Sequence, residues 1–180
     1  HPWALDADGD GKEEVLVGYN LIDHDGKLLW TLDIPDPVEN HCDSRDVSDM
    51  DGDGAVEIAH AGSKDAIICD LSGKIVARRV GEHIQNVRFA KLDRNRLGRD
   101  LICEEKWGGF TAYDPVGQVL WSRKEGFIYP LRWRPADPED LLLYQRRWNA
   151  LPTLLDGRLE PVLGLEADEE LTASHEPPKG

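Results

Sequence analysis

The chain has 180 residues, and its 35 acidic against 21 basic side chains give a formal net charge of -14. Acidity spread along the whole length argues against nucleic acid or an anionic membrane as partner, and the length suffices for one domain with a sizeable core. No apolar run approaches bilayer-spanning length and no basic-then-apolar leader is present; His1 rather than Met opens the chain, as expected of a processed or excised segment.

The first predicted element is an acidic, Gly-rich loop that runs into a strand, "LDADGDGKEEVLVG" at 5–18. In D-x-D-G-D-G-x-x-E the carboxylates fall at loop positions 1, 3, 5 and 9, and the glycines supply the positive φ that curls the backbone around one centre. Asp6, Asp8, Asp10 and Glu14, with the carbonyl of Lys12, make a hard-oxygen donor set suited to Ca²⁺. An EF-hand would need a bidentate acid where Val17 stands and a helix after it, so that reading fails. A short strand and a Gly turn follow, with "DHDGKLLW" at 23–30.

Next come "HCDS" at 41–44 and a second acidic loop, "SDMDGDGAVEIAHAG" at 48–62. Asp49, Asp51, Asp53 and Glu57 repeat the first donor set at a constant spacing of 43 residues, with the Ala55 carbonyl in place of that of Lys12. A second structural Ca²⁺ site is expected, since one solvated acidic turn is unremarkable but two with every donor kept are not. The unit again closes on a Gly turn, "DLSGKIVA" at 70–77. His24 lies in a Gly turn and His60 follows a strand, and neither carries a predicted role.

The third unit runs through "GEHIQNVRFAKLD" at 81–93, "RDLICEE" at 99–105, "KWGGFTAYD" at 106–114 and "YDPVGQVLW" at 113–121. Its loop, "KLDRNRLGRD" at 91–100, carries Arg94, Arg96 and Arg99 where the acids stood, so it should bind no metal. Arg94 or Arg96 would serve as a fixed cation in the metal's place, but a solvated turn is the preferred reading. A weaker fourth unit holds "GFIYPLRW" at 126–133, "EDLLLYQ" at 139–145 and "LLDGRLEPV" at 154–162.

Apolar runs of about four to six residues, with helical periodicity nearly absent, read as strands. Units of about 40–45 residues built from short strands are the mark of a β-propeller blade. The expected fold is therefore all-β: four propeller blades, at about 2–40, 41–82, 83–127 and 128–166, from a larger ring of seven or eight. Residues 167–180 read as a polar tail or linker, and a solenoid of stacked strands is the alternative architecture. Trp30 and Trp121 end matching strands and read as blade-packing residues; Cys69 and Cys103, in apolar runs, read as small buried side chains.

Through "DADGDGKEEVLVG", "DHDGKLLW", "HCDS", "GEHIQNVRFAKLD" and "KWGGFTAYD", the chain resembles calcium-containing β-propeller polysaccharide lyases of the rhamnogalacturonan and ulvan type. The calcium loops themselves are shared with FG-GAP, integrin-type propellers. The resemblance implies a secreted or periplasmic enzyme that cleaves an acidic, uronic-acid polysaccharide by β-elimination, working with the remaining blades of a parent chain. Such a site must neutralise the uronate carboxylate, remove the C5 proton and protonate the leaving C4 oxygen.

His41 and His83 stand 42 residues apart, each just ahead of a strand that opens a blade, and Tyr129 is taken as the third such position. These three are the catalytic candidates. Arg88, Lys106 and Arg132 are candidate neutralisers, Trp107 a stacking surface for sugar rings, and Gln85 and Asn86 hydrogen-bond donors to hydroxyls. The competing reading makes the histidines hydrogen-bonded hinge residues of a non-catalytic FG-GAP-like calcium-binding module that binds protein or glycan.

Overall fold

A computed structural model of the chain describes residues 2–35, 39–146 and 151–166; the expected tail at 167–180 lies outside them. Short runs that alternate apolar and polar residues between Gly turns cannot form an apolar helix face, and they pair as antiparallel strands instead.

The first sheet contains β1 (Trp3–Leu5), β2 (Glu14–Val17), β3 (Asn20–Ile22) and β4 (Leu28–Thr31), and the second β5 (Cys42–Ser48), β6 (Glu57–Gly62), β7 (Asp65–Asp70) and β8 (Ile75–Val80). The third contains β9 (Ile84–Ala90), β10 (Asp100–Glu105), β11 (Phe110–Tyr113) and β12 (Val119–Arg123), and the fourth β13 (Phe127–Leu131), β14 (Leu141–Gln145), β15 (Thr153–Leu155) and β16 (Pro161–Gly164). Each sheet is an antiparallel meander in chain order, so the fold is all-β and made of four-stranded, propeller-like blades.

The core lies in the seams between sheets. Leu16 and Leu21 pack on Ile58, Ile67 and Cys69; Ala59, Ala61 and Ile68 pack on Val87, Phe89, Leu101 and Cys103; Ile102, Phe110 and Ala112 pack on Ile128, Leu142 and Leu155. Adjacent residues such as Ile58 and Ala59 thus serve different seams, as a period of two requires. Burial drops toward the rim: every residue of β6 is buried, and every residue of β16 is exposed.

Polar fasteners close the seams. Trp30 donates from Nε1 to the Leu71 carbonyl at 2.9 Å, and Trp121 does the same to that of Gly157 at 2.9 Å. Gly73 turns at φ 83 directly beneath the Trp30 ring, where an added Cβ would sit 2.8 Å from it. Among the inner strands, the Val87 N–H donates to Ser44 Oγ at 3.1 Å and the Phe89 N–H to Asp46 Oδ2 at 2.8 Å.

The third loop is more than a solvated turn. Arg96 forms an ion pair with Asp100, and the Lys91 ammonium donates to the carbonyls of Arg96 and, at 2.8 Å, of Gly98. Arg96 lies 43 residues past Asp53, so a guanidinium occupies the register of a lost carboxylate. The loop also docks on its neighbour, with the Arg99 N–H donating to the Met50 carbonyl at 2.9 Å.

Because strands alternate in direction, the loops after β1, β5, β9 and β13 lie at one end of the blades together with the Gly turns. The segments that enter β5 and β9 lie at the other end. β5 has seven residues and spans roughly 20 Å at ~3.3 Å per residue, which separates the two ends.

Candidate functional site

His41 and His83 immediately precede β5 and β9 and meet at the same end. Their ring centroids lie 5.2 Å apart at 63°, and both Nε2 atoms face one oxygen of Asp43, at 3.3 Å from His41 and 3.2 Å from His83. The Ser63 hydroxyl lies 3.0 Å from the second nitrogen of His41. Asp43 gains its aim from an irregularity in β5: Cys42 pairs with Gly62 but Ser44 with Ala61, so Asp43 is the extra residue of a bulge and leaves the ladder. The group opens to solvent through His41, whose side chain is 52% exposed against 20% for Asp43 and His83.

Cys42, between His41 and Asp43, faces the interior. Its Sγ is 3.8 Å from His60 Nδ1, and Cys69 Sγ is 3.7 Å from His60 Nε2. Burial pushes His60 down to about 3, so this imidazole is neutral. Arg45 anchors the same layer to the first sheet, donating to the Gly18 carbonyl at 2.9 Å and to Cys42 Sγ at 3.3 Å.

Lys106 and Trp107 belong to the histidine end. The Lys106 N–H donates to the His83 carbonyl at 2.9 Å, its ammonium lies 5.3 Å from the Trp107 ring, and Trp107 is 86% exposed. Further along the inner strands, the Arg88 guanidinium sits 5.6 Å from the Tyr129 ring, and Asn86 donates to Glu104 Oε2 at 3.3 Å. Burial raises the Glu104 carboxyl above the usual value, with Asn86 and Arg88 pulling the other way. A cleft of about 330 Å³ runs between Asn86, Glu104, Phe127, Tyr129 and Gln145. Gln85 is half-buried in β9.

Two candidates stand apart from the histidines. Tyr129 is the middle residue of β13; the position that matches His41 and His83, directly before the strand, belongs to Gly126. Arg132 follows β13 and so lies at the acidic-loop end, where its Nε donates to Asp140 at 2.8 Å. Asp140 also accepts from Arg99 at 3.0 Å and from the Lys91 N–H at 2.8 Å. Burial alone would raise this carboxyl, but those donors outweigh it and hold it below the usual Asp value. Asp43 and Glu104 were not among the sequence candidates; the only prior signal was Asp43's place two residues after His41.

The two acidic loops have the same internal geometry. Asp6 accepts from the N–H of Gly9 at 2.8 Å and of Gly11 at 3.0 Å, as Asp49 does from Gly52 at 2.6 Å and Gly54 at 3.1 Å. Asp8 and Asp51 accept from Asp10 and Asp53 N–H, and these in turn accept from Lys12 and Ala55 N–H. Glu14 and Glu57, at the start of their strands, take the N–H of Ala7 at 2.7 Å and of Met50 at 2.8 Å. Donor oxygens of Asp6, Asp8 and Asp10 lie within 4.8 Å of one another, and so do those of Asp49, Asp51 and Asp53. Convergent carboxylates of this kind fit a hard cation. The trio of His41, Asp43 and His83 meets the same distance criterion with a mixed donor set.

No protein-family model matches the chain, and no curated protein matches it in sequence. Solved structures do match. The exotype rhamnogalacturonan lyase YesX superposes with a TM-score of 0.70 over 91% of this chain and 30% of its own, at 19% identity. The Bacillus licheniformis rhamnogalacturonan lyase PL11 gives a TM-score of 0.65 over 93% of this chain and 28% of its own, at 21% identity. The V. cholerae biofilm matrix protein Bap1 gives 0.65 over 92% and 55%, at 10% identity. The fold is thus that of a partial, propeller-like array, and the chain spans less than a third of either lyase.

Proposed function

We propose that the chain is part of a secreted or periplasmic polysaccharide lyase that cleaves a uronic-acid polysaccharide, of the rhamnogalacturonan or ulvan kind, by β-elimination. The remaining blades of a seven- or eight-bladed ring complete the substrate cleft. The observation that carries the reading is the meeting of two imidazoles from adjacent blades on the Asp43 carboxylate in a solvent-open position.

With Nε2–H of His83 donating to Asp43, Nδ1 keeps its lone pair and serves as the base for the C5 proton. His41, with Asp43 on one nitrogen and Ser63 near the other, serves as the proton donor to the C4 oxygen. Lys106, held against the His83 backbone, neutralises the uronate carboxylate, and Trp107 beside it offers an aromatic face for a sugar ring. Ca²⁺ in the two acidic loops sits at the opposite end of the strands and is structural, since ~20 Å exceeds a Debye length of ~8 Å.

The test is to incubate the parent protein with pectin-derived, ulvan-like and glucuronate-rich polymers and follow ultraviolet absorbance of the unsaturated product. His41→Ala and His83→Ala abolish it if the reading holds. The likeness to a biofilm matrix protein supports a second reading, a non-catalytic FG-GAP-like module that binds protein or glycan. No product from any uronate polymer, with retention on an immobilised glycan, would favour that module.

A further inference from the structure

The two acidic loops repeat in sequence, but their surroundings differ. The turn between β3 and β4 brings His24 against the first loop, so that donor atoms of Asp10, Glu14 and His24 lie within 4.8 Å of one another. We infer that these three residues form a mixed carboxylate–imidazole site for a borderline divalent cation of the Zn²⁺ class, while the second loop is an all-oxygen Ca²⁺ site. The inference rests on reading both loops as cation sites and alters the metal assigned to the first.

The independent observation is Glu14. Its side chain is fully buried and one carboxylate oxygen takes the Ala7 N–H, yet Oε1 has no hydrogen-bond partner among the described residues. A buried carboxylate oxygen without a donor is costly, and a bound cation beside it removes that cost.

His24 is prepared to ligate. Its Nδ1 lies 2.7 Å from Asp23 Oδ1, which fixes the N–H there and leaves the Nε2 lone pair outward. A carboxylate behind the far nitrogen is the arrangement that metal-ligating histidines adopt. Nε2 already faces a cation, the Lys12 ammonium at 2.9 Å, and the same ammonium lies 3.7 Å from Asp10 Oδ2. Lys12 therefore marks a cation position shared by two of the three donors, and its flexible stem lets it swing into solvent when a divalent ion arrives.

The second loop lacks both features. Asp70 matches Asp23, since each accepts the N–H of its turn glycine through its carbonyl, so Leu71 stands where His24 does and Ala55 where Lys12 does. Oxygen donors alone favour Ca²⁺, and an imidazole shifts preference toward Zn²⁺.

The experiment is calorimetric titration of chelator-stripped protein with Zn²⁺ and with Ca²⁺, in a His41→Ala, His83→Ala background that removes the other imidazole pair. The expected result is one Zn²⁺ site per chain that weakens at least about tenfold in His24→Ala, about 10–100-fold in Asp23→Asn, and tightens in Lys12→Met. Ca²⁺ uptake at the second loop persists in His24→Ala and is lost when Asp51 and Asp53 become Ala. Co²⁺ added to the same protein gives visible absorption bands that His24→Ala removes, a readout that folding alone would not move. Unchanged Zn²⁺ affinity in a folded His24→Ala variant overturns the inference and leaves the calcium reading standing. If the stripped protein takes neither ion, both fail.

Discussion

His41 and His83, on adjacent blades, share a single oxygen of Asp43, with their rings 5.2 Å apart. One carboxylate between two imidazoles fixes which nitrogen of each ring bears its proton.

Asp43→Asn keeps the size and one acceptor but removes the charge. The lyase activity proposed for the parent protein is expected to fall at least about 100-fold, within the range of general acid–base catalysis, with an unchanged circular dichroism spectrum. Activity within a factor of two of wild type would remove Asp43 from the site.

Chelation should lower the melting temperature, and the paired Asp51→Ala, Asp53→Ala variant should lose part of that response. Arg96→Met is predicted to destabilise by about 1–3 kcal/mol, because Asp100 is left buried without its partner, while leaving the response to chelator intact. Differential scanning fluorimetry with and without chelator separates the two effects.

Acid stability should report His60. The unfolded chain takes up this proton below the ordinary value of 6.5, whereas the folded chain does so only near about 3. Between those values the unfolded state binds more protons, so stability falls as pH falls, by about 1.4 kcal/mol per pH unit. Denaturant midpoints from pH 7 to pH 4 should flatten in His60→Leu, whatever its stability at pH 7.

Asp140 works at a lower pH. Its folded-state carboxyl lies below the usual Asp value, so its contribution is complete above that value and is lost as pH falls through the folded one. Asp140→Asn is expected to cost on the order of 2–3 kcal/mol at neutral pH, by leaving Arg99 and Arg132 without their shared anion, and to shrink the remaining loss below pH 4.

The repeat was legible because its donors recur at one spacing, 43 residues, and the seam role of Trp30 and Trp121 followed from their matching positions. The spacing of His41 and His83 likewise put both just ahead of an inner strand. The fourth unit is shorter only in its loop, where Asp140 follows Asp100 by 40 residues; the histidine register still holds, since Gly126 stands 43 residues past His83, and Tyr129 lies beyond it, inside β13. Asp43 was hidden because its direction depends on one extra residue in β5, which reverses the faces that simple alternation assigns. Glu104 was hidden because its partner Asn86 lies on the neighbouring strand, and the pairing needs the register. Arg132 was separated from the histidines by strand direction, which residue type does not encode.

The fall of burial from β6 to β16 has a consequence for how such a chain changes over generations. β6 borders two cores, one on each face, so a replacement at any of its positions must fit a packed seam, and few will. Apart from seam residues such as Trp30 and Trp121, the rim strands touch little and accept almost any side chain that keeps the pleat. Sequence drift should therefore be fastest at the periphery, where new binding surfaces arise without disturbing the hub.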